Sequence, residues 1–365
     1  MSSAQSMSEE EKHLYAAIDD RYPADESRFG VVRQALKTLP VVDLAPFVND
    51  ASHSEKQASA QSLRRACIDL GFMYIKNHGI SLEECNDALE WTRKLFDLPL
   101  VEKEKIATAG RETFHGWTPI GSEKIGDRAE IEGDIKEEYD ISRQMAPDDP
   151  SRKLALMGDT PWPSENVLPG FREFMQQHMK NRYQVALHLL HAFAVSLELP
   201  ETYFDARHKY PIDNMRLNYY PPVSEEELHE NLYSAAPHTD YAGFTALLQD
   251  NQSGLEVRNI VGEWIAVPPL EGSFVINVSD TMAIWTNDLY QSTPHRVRNF
   301  SGANRYSVPY FIGPDNTELI ECLDTCCSEE NPPRYAPTDF IEYLTNRIAG
   351  YYTPEASEQF KAKTG

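Results

Sequence analysis

His238-Thr239-Asp240 places two metal-ligating side chains two residues apart, and His295 offers a third in the segment STPHRVRN. In an extended chain alternate residues point the same way, so His238 and Asp240 can share a face and grip one ion. Two imidazoles and one carboxylate from separate segments form a facial set that leaves coordination positions open on one side. That suits an iron(II) centre which must take a co-substrate and O2 together, whereas a structural zinc site is closed by a fourth ligand. The triplet also arises by chance. Taken singly, His238 reads as a turn residue after Pro237, Asp240 as a solvated cap and His295 as a packed core histidine.

Two further alternations add weight. Arg305-Tyr306-Ser307 sets a guanidinium fork and a hydroxyl on one face, able to clasp a single carboxylate. Arg216-Leu217-Asn218-Tyr219-Tyr220 puts Arg216, Asn218 and Tyr220 on one face in the same manner. Arg216 there either meets an anionic group on a substrate or joins an ion pair with one of the chain's many acids. Phe311 and Phe114 are candidate pocket walls, or plain core. His78 and His115 follow turns and read as structural. His188 and His191 stand one helical turn apart among Leu189, Leu190 and Phe193, which favours helix packing over a metal pair.

The elements that must position these residues are legible in part. LPVVDLAPF (39–47) and FMYIKNHGI (72–80) read as strands, separated by a helix from Ser54 to Leu70. Ser81 predicts a helix N-cap, with Glu84 completing a capping box, and that helix runs to about Phe96. Residues 110–160 are rich in Gly, Pro and acids and read as loops. The longest helical periodicity covers 169–199 and stops at Pro200. From Met215 onward eight short strands are expected: MRLNYY, FTALLQD, LEVRN, EWIAV, FVINV, MAIWT, HRVRN and RYSVPYFI. Their number and spacing suggest a sandwich or jelly roll. A helical region over 338–362 closes the chain. The expected organisation is a polar extension (1–37, helical around EEEKHLYAAIDDRY), a helix-and-strand region (38–200) and a β-rich core (201–365), together one catalytic unit.

Composition bounds the rest. The 365 residues carry 57 acids against 34 bases, a formal charge of −23. A surface that negative repels phosphate backbones and anionic lipids, which argues against nucleic acid or membrane as partners and leaves a small molecule. Five cysteines (Cys67, Cys85, Cys322, Cys326 and Cys327) do not suggest a disulfide framework, and the last three lack a metal-site spacing. The polar start has no signal-peptide core, and no run reaches the roughly 18 apolar residues needed to span a bilayer. A reduced, cytosolic protein is the expectation, and nothing points to an obligate assembly.

The chain resembles the isopenicillin N synthase-like branch of the iron(II)/2-oxoglutarate dioxygenases. The matching text is RLNYYPP (216–222), PHTDYAGFTALLQD (237–250), GLEV (254–257), GEWIAVPPLEGSFVINVSD (262–280), WTNDLYQSTPHRVRN (285–299) and RYSVPYF (305–311). The N-terminal strands and KEEYDI (136–141) resemble the other half of that family. Ser279 stands where a Gly is usual in the NxGD turn, and Ala242 separates Tyr241 from Gly243; neither change removes a ligand. The resemblance implies an α+β fold, a double-stranded β-helix with flanking N-terminal and C-terminal helices. It implies iron on His238, Asp240 and His295. It implies that Arg305 and Ser307 hold the distal carboxylate of 2-oxoglutarate, with a hydrogen bond from Tyr220 and with Asn218 near the keto-acid end. Hydroxylation of a small molecule is the default chemistry, with desaturation and ring closure open. Two alternatives remain. Oxidases of this fold that do not consume 2-oxoglutarate, such as isopenicillin N synthase and the ascorbate-using ethylene-forming oxidases, also keep the RxS motif. A catalytically silent jelly-roll binder would usually have lost a ligand, and all three persist here.

Overall fold

The two-residue alternation of Arg305 to Phe311 is visible directly in the computed structural model, which describes residues 32–109, 114–122, 134–153, 156–223 and 233–349. Among these the strands are β1 (Val41–Asp43), β2 (Phe72–Lys76), β3 (Gly116–Thr118), β4 (Glu137–Ser142), β5 (Pro211–Tyr220), β6 (Ala235–His238) and β7 (Phe244–Gln249). They continue with β8 (Leu255–Arg258), β9 (Trp264–Ala266), β10 (Phe274–Val278), β11 (His295–Val297), β12 (Arg305–Asp315), β13 (Leu319–Ile320) and β14 (Thr338–Asp339). The helices are α1 (Ala45–Val48), α2 (His53–Asp69), α3 (Leu82–Phe96), α4 (Leu100–Glu104), α5 (Phe171–Ser196), α6 (Asp280–Trp285) and α7 (Phe340–Ala349).

One sheet runs β1-β2-β10-β7-β12-β5-β4-β3 and a second runs β6-β11-β8-β9. Arg305, Ser307, Pro309 and Phe311 of β12, with Asn214, Arg216, Asn218 and Tyr220 of β5, face a cavity also lined by β6, β8 and β11 residues of the second sheet. The intervening Tyr306, Val308, Tyr310, Ile312, Met215 and Leu217 pack into the core on the helix side. The jelly-roll expectation therefore holds, with helices covering the outer face of the large sheet. The N-terminal region is not a separate layer, because β1 and β2 extend that sheet at one edge and β4 and β3 at the other.

Helix packing explains local sequence choices. Ser52 and Glu55 close a capping box at the start of α2. At α3 the Ser81 hydroxyl accepts from the Glu84 amide at 3.1 Å as expected. The Glu84 carboxylate, however, turns to His178 and Asn181 of α5 at 2.7 and 2.9 Å, docking two helices instead of completing a box. Arg182 of α5 is fully buried, stacks 4.0 Å from the Phe274 ring and donates to the carbonyl of Ala246 in β7.

Four expectations need correction. Of the 39–47 segment only Val41–Asp43 is strand, and Ala45–Val48 forms α1, with Pro46 in its first turn. MAIWT is not a strand: residues 280–285 form α6, because the amides of Asp280 and Thr281 find carbonyl partners in the 240–242 turn. A short apolar run does not by itself distinguish strand from helix. The strand β6 escaped detection because AAPH is short and ends in Pro-His. Residues 110–160 contain β3 and β4 as well as loops; the acids of EEYDIS mask a strand buried on both faces. Of the terminal helical region, 340–349 is helix, and 350–362 and the EEEKHLYAAIDDRY segment lie outside the described residues.

Three buried histidines predict acid sensitivity. Burial pushes His78, His115 and His208 from 6.5 down to about 4. Between those values the unfolded chain binds protons that the fold does not, so stability falls as pH drops from 6.5 toward 4. Urea denaturation at pH 5 against pH 7 should show a loss of about 2 kcal/mol for each histidine. His208→Gln should remove its share; an undiminished pH dependence in that variant would contradict the assignment.

Candidate metal centre and active site

His238 closes β6 and His295 opens β11, and the antiparallel register sets them directly opposite each other. Their ring centroids lie 4.2 Å apart. Asp240 lies beyond the end of β6, so the turn, and not strand alternation, returns its carboxylate to the histidines. Asp240 Oδ1 stands 3.6 Å from His238 Nε2 and 3.8 Å from His295 Nε2. Ligand atoms of the three residues lie within 4.8 Å of one another, and no other His, Cys, Asp or Glu cluster of this kind occurs among the described residues. His191 instead meets Asp205 at 2.9 Å, and Cys322, Cys326 and Cys327 are free thiols.

The protonation pattern suits a metal. His238 Nδ1 faces the Ala236 carbonyl at 2.7 Å and His295 Nδ1 the Thr293 carbonyl at 3.2 Å. A carbonyl only accepts, so each Nδ1 carries a proton and each Nε2 is the atom turned toward Asp240. Burial, reinforced by the neighbouring His295, pushes His238 down to about 3 and keeps it a neutral ligand. Burial opposes ionisation of Asp240, yet its histidine neighbours and hydrogen bonds hold its carboxyl below the usual 3.8. Those hydrogen bonds come from Asn277 at 2.7 Å and from Thr245, both on Oδ2, leaving Oδ1 for the ion. Two imidazoles with Nε2 turned inward and one carboxylate, all oriented from behind, fit a divalent first-row ion with an open face.

The surroundings hold the ligands in place. The carbonyl of Cys67 at the end of α2 accepts from Gln291 N at 3.0 Å, and that of Leu70 from Thr293 Oγ1 at 2.5 Å, which anchors the approach to His295. Directly after Leu70, Gly71 has φ +69°, and a Cβ there would lie 1.9 Å from the Gln291 carbonyl oxygen, so only glycine allows this contact. On the other side Asp280 N donates to Asp240 O at 2.9 Å. The fully buried Asp280 carboxylate accepts from Ser292, Tyr343 and Thr239 at 2.5, 2.8 and 3.3 Å, and Arg347 lies 3.4 Å away. One acid thus joins both ligand-bearing loops to α7.

Beside the triad the cavity, of about 190 Å3, reaches Arg305. Its side chain is 1% exposed; Nη2 donates to Gln249 at 2.9 Å, while Nε and Nη1 have no partner among the described residues. A buried guanidinium with unused donors is costly and fits an anion. Ser307 accepts from Asn218 Nδ2 at 3.3 Å, and the two are register partners across β12 and β5. Tyr220 lies beneath Arg305, its ring centre 4.9 Å from the guanidinium carbon. The other anticipated residues also reach the cavity: Phe114, Phe311 and Arg216 line it. Arg216 is already engaged, with Asp140 at 2.8 Å and Glu138 at 3.1 Å. Sequence reading missed Asn277, Thr245 and Gln249, which orient the chemistry from behind, and Lys136, Asn214, Leu344 and Ile348 on the far wall. Alternation in KEEYD, with Lys136, Glu138 and Asp140 on one face, was a usable signal for that wall.

Two family descriptions match the chain: "non-haem dioxygenase in morphine synthesis N-terminal" over residues 39–165, and "2OG-Fe(II) oxygenase superfamily" over residues 211–314. The 2-oxoglutarate-Fe(II) type oxidoreductase ppzC of Metarhizium rileyi is 30% identical, over 88% of this chain and 90% of its own. Azadirone synthase LFS of Melia azedarach is 32% identical, over 82% of this chain and 90% of its own. A full-length Neurospora crassa protein, solved in complex with alpha-KG and thymine, superposes with a TM-score of 0.77 at 28% identity, covering 87% of this chain and 98% of that one.

Because Asn277 orients Asp240 and touches no ion itself, Asn277→Leu should weaken iron(II) binding by about 10- to 100-fold without unfolding the protein. Anaerobic competition titration of the metal-free protein measures this. Unchanged affinity would remove Asn277 from the support of the centre.

Proposed function

The chain belongs to the 2OG-Fe(II) oxygenase superfamily, and from that premise we propose that it oxidises a C–H bond of a small molecule, with iron on His238, Asp240 and His295 and the distal carboxylate of 2-oxoglutarate on Arg305 and Ser307. It is a 2-oxoglutarate-dependent oxygenase, as the names of its relatives agree. Iron(II), O2 and 2-oxoglutarate supply the oxidising power when bound, and the co-substrate leaves as succinate and CO2.

The observation that carries the assignment of the co-substrate end is the pair of unused donors on buried Arg305, in the same cavity as the three ligands. Arg305 neutralises and aims the far carboxylate, and Ser307 adds a hydroxyl donor from the neighbouring inward position. Tyr220 backs the guanidinium with its ring face. Asn218 fixes Ser307. Leu247, Leu255, Val275 and Val297 line the passage to the metal and keep it dry, so charged contacts there act at low dielectric. Phe72 packs edge-on to His295 at 5.2 Å and fixes its ring plane. The chain's contribution is orientation and water exclusion. Hydroxylation is the outcome this reading expects. That the Neurospora relative binds thymine supports a small organic substrate at this site.

Arg305→Gln removes the charge and the fork together. It should weaken 2-oxoglutarate binding by about 100-fold or more, since each charge-assisted hydrogen bond contributes roughly 1.5–3 kcal/mol. Ser307→Ala should weaken it less, by about tenfold. Succinate release and anaerobic co-substrate titration report both. Wild-type co-substrate affinity in Arg305→Gln would refute the assignment of this end of the cavity.

A further inference from the structure

The chain leading from α6 into β11 carries backbone strain that the contacts at the metal do not account for. Asn287 and Asp288, two consecutive non-glycine residues, have φ of +55° and +64°. Left-handed backbone at such a pair persists only where the surroundings fix it from several sides. The C-terminal part of the chain supplies one side. Asn287 Oδ1 accepts from the Arg334 amide at 2.9 Å, and the Asp288 carboxylate accepts from Arg334 Nη1 at 2.6 Å and from the Tyr335 hydroxyl at 2.8 Å. Another side is Arg33, which precedes the residues that either family description matches. Arg33 Nη2 donates to the Asp288 carbonyl at 2.8 Å, and Nη1 donates to Gln291 Oε1 at 3.0 Å. Gln291 Nε2 donates to that same carbonyl at 2.7 Å, so guanidinium, side-chain amide and strained peptide close into one ring of bonds.

From this ring we infer that Arg33 is a positioning residue for His295, acting through Gln291, and that residues 32–36 form a strap whose seating sets the affinity of the centre for iron(II). The inference rests on the proposed placement of iron on His238, Asp240 and His295. The strap is itself fastened on both sides of Arg33. Arg65 Nη2 of α2 donates to the Val32 carbonyl at 2.9 Å, and the Gln34 amide donates to Asp69 Oδ1 at 2.8 Å. Arg65 and the buried Asp69 hold each other one helical turn apart, with Nε 2.7 Å from Oδ2, and Asn259 Nδ2 secures the Leu36 carbonyl at 3.2 Å. The last turn of α2 therefore reaches Gln291 twice, directly from the Cys67 carbonyl to its amide at 3.0 Å and through the strap to its side chain. Two residues further on, Thr293 presents the carbonyl that His295 Nδ1 faces at 3.2 Å. A shift at Gln291 is carried along this short run of chain to the imidazole, while Asp240 and His238 keep their own supports. Without the guanidinium the turn at Asn287 and Asp288 is held from one side fewer, and relaxing it moves the approach to the ligand.

Arg33→Met keeps the aliphatic stem and removes every donor of the guanidinium. Anaerobic competition titration of the metal-free, full-length protein with iron(II) should show binding weakened by about tenfold, as when a group that orients a ligand is lost. Arg33→Lys keeps the charge without the fork and should weaken binding by about threefold. Urea denaturation of the metal-free variants shows whether each is folded. A strap that serves stability alone would lower the denaturation midpoint and leave the iron(II) affinity of the folded variant at the wild-type value, which overturns the inference. His295→Ala, titrated alongside, keeps the two readings apart. Wild-type iron(II) binding in His295→Ala refutes the placement of the metal. Loss of binding there together with wild-type affinity in Arg33→Met refutes the strap alone. Should Arg33→Met not fold, Arg33→Lys decides, and wild-type affinity in that variant overturns the inference.

Discussion

The placement of His238 directly opposite His295, across two strands of four and three residues, is the constraint on which the rest of the site depends. Strands this short contribute few ladder hydrogen bonds, and two converging imidazoles leave no apolar pair to hold the register at that point. The convergence has to be imposed from outside. It comes from the C-terminal end of α2, whose carbonyls hold the chain entering β11, and from the first amides of α6, which hold the carbonyls of the turn leaving β6. The same groups satisfy helix ends that would otherwise be unpaired. Ligand geometry and helix termination are therefore one set of hydrogen bonds.

The inner face of the large sheet divides by charge state. On β12 and β7 a single buried cation, Arg305, keeps donors unused. On β5 the half-buried Arg216, and just before β4 the buried Lys136, have carboxylate partners. Desolvation penalises any lone charge in such a cavity, so an unused donor set is tolerable only where an anion is to arrive, and a committed one resists a further anion. The distance between these two regions is bridged by Asn218, Ser307 and Tyr220, which are neutral and so do not blur the contrast. One strand, β5, lies at the border and serves both sides with the same alternation, Asn214 and Arg216 toward Asp140 of β4, Asn218 and Tyr220 toward Ser307 and Arg305.

How far the sequence discloses this depends on the range of the interaction. The inward faces of β5 and β12 follow from period-two alternation alone, and those residues do line the cavity. The triplet was legible as chemistry but not as geometry: a turn brings the Asp240 carboxylate back to the two histidines, and the strand argument for it fails. The α6 segment shows the limit clearly. MAIWT has strand-like composition, and only the Ser279-Asp280 pair before it carries a helix-start signal; the deciding partners are carbonyls forty residues upstream in sequence. The Glu84 capping box failed for a similar reason, since His178 and Asn181 on a distant helix outcompete a local amide. Arg216 was left between two readings because its partners lie on β4, in a segment whose acids hid the strand.

Asp280 links the wall of the cavity to the His-Asp-His cluster. Its carboxylate collects Thr239 from the ligand triplet, Ser292 from the chain leading to His295, and Tyr343 from α7, with Arg347 of α7 alongside. The same helix turns Leu344 and Ile348 onto the cavity wall. Arg347 also lies 4.9 Å from the Tyr241 ring centre, next to the ligand Asp240. A displacement of α7 by a bulky occupant would therefore pull on the hydrogen bonds that orient both ligand loops. Because a buried acid that loses a partner is left with a desolvated charge, such a displacement is resisted steeply and not gradually. Helix α7, which lines the cavity, is held by the same carboxylate that holds the segments of the His-Asp-His cluster, and the size limit of the pocket is for that reason an electrostatic property of Asp280 as much as a steric one of Leu344 and Ile348.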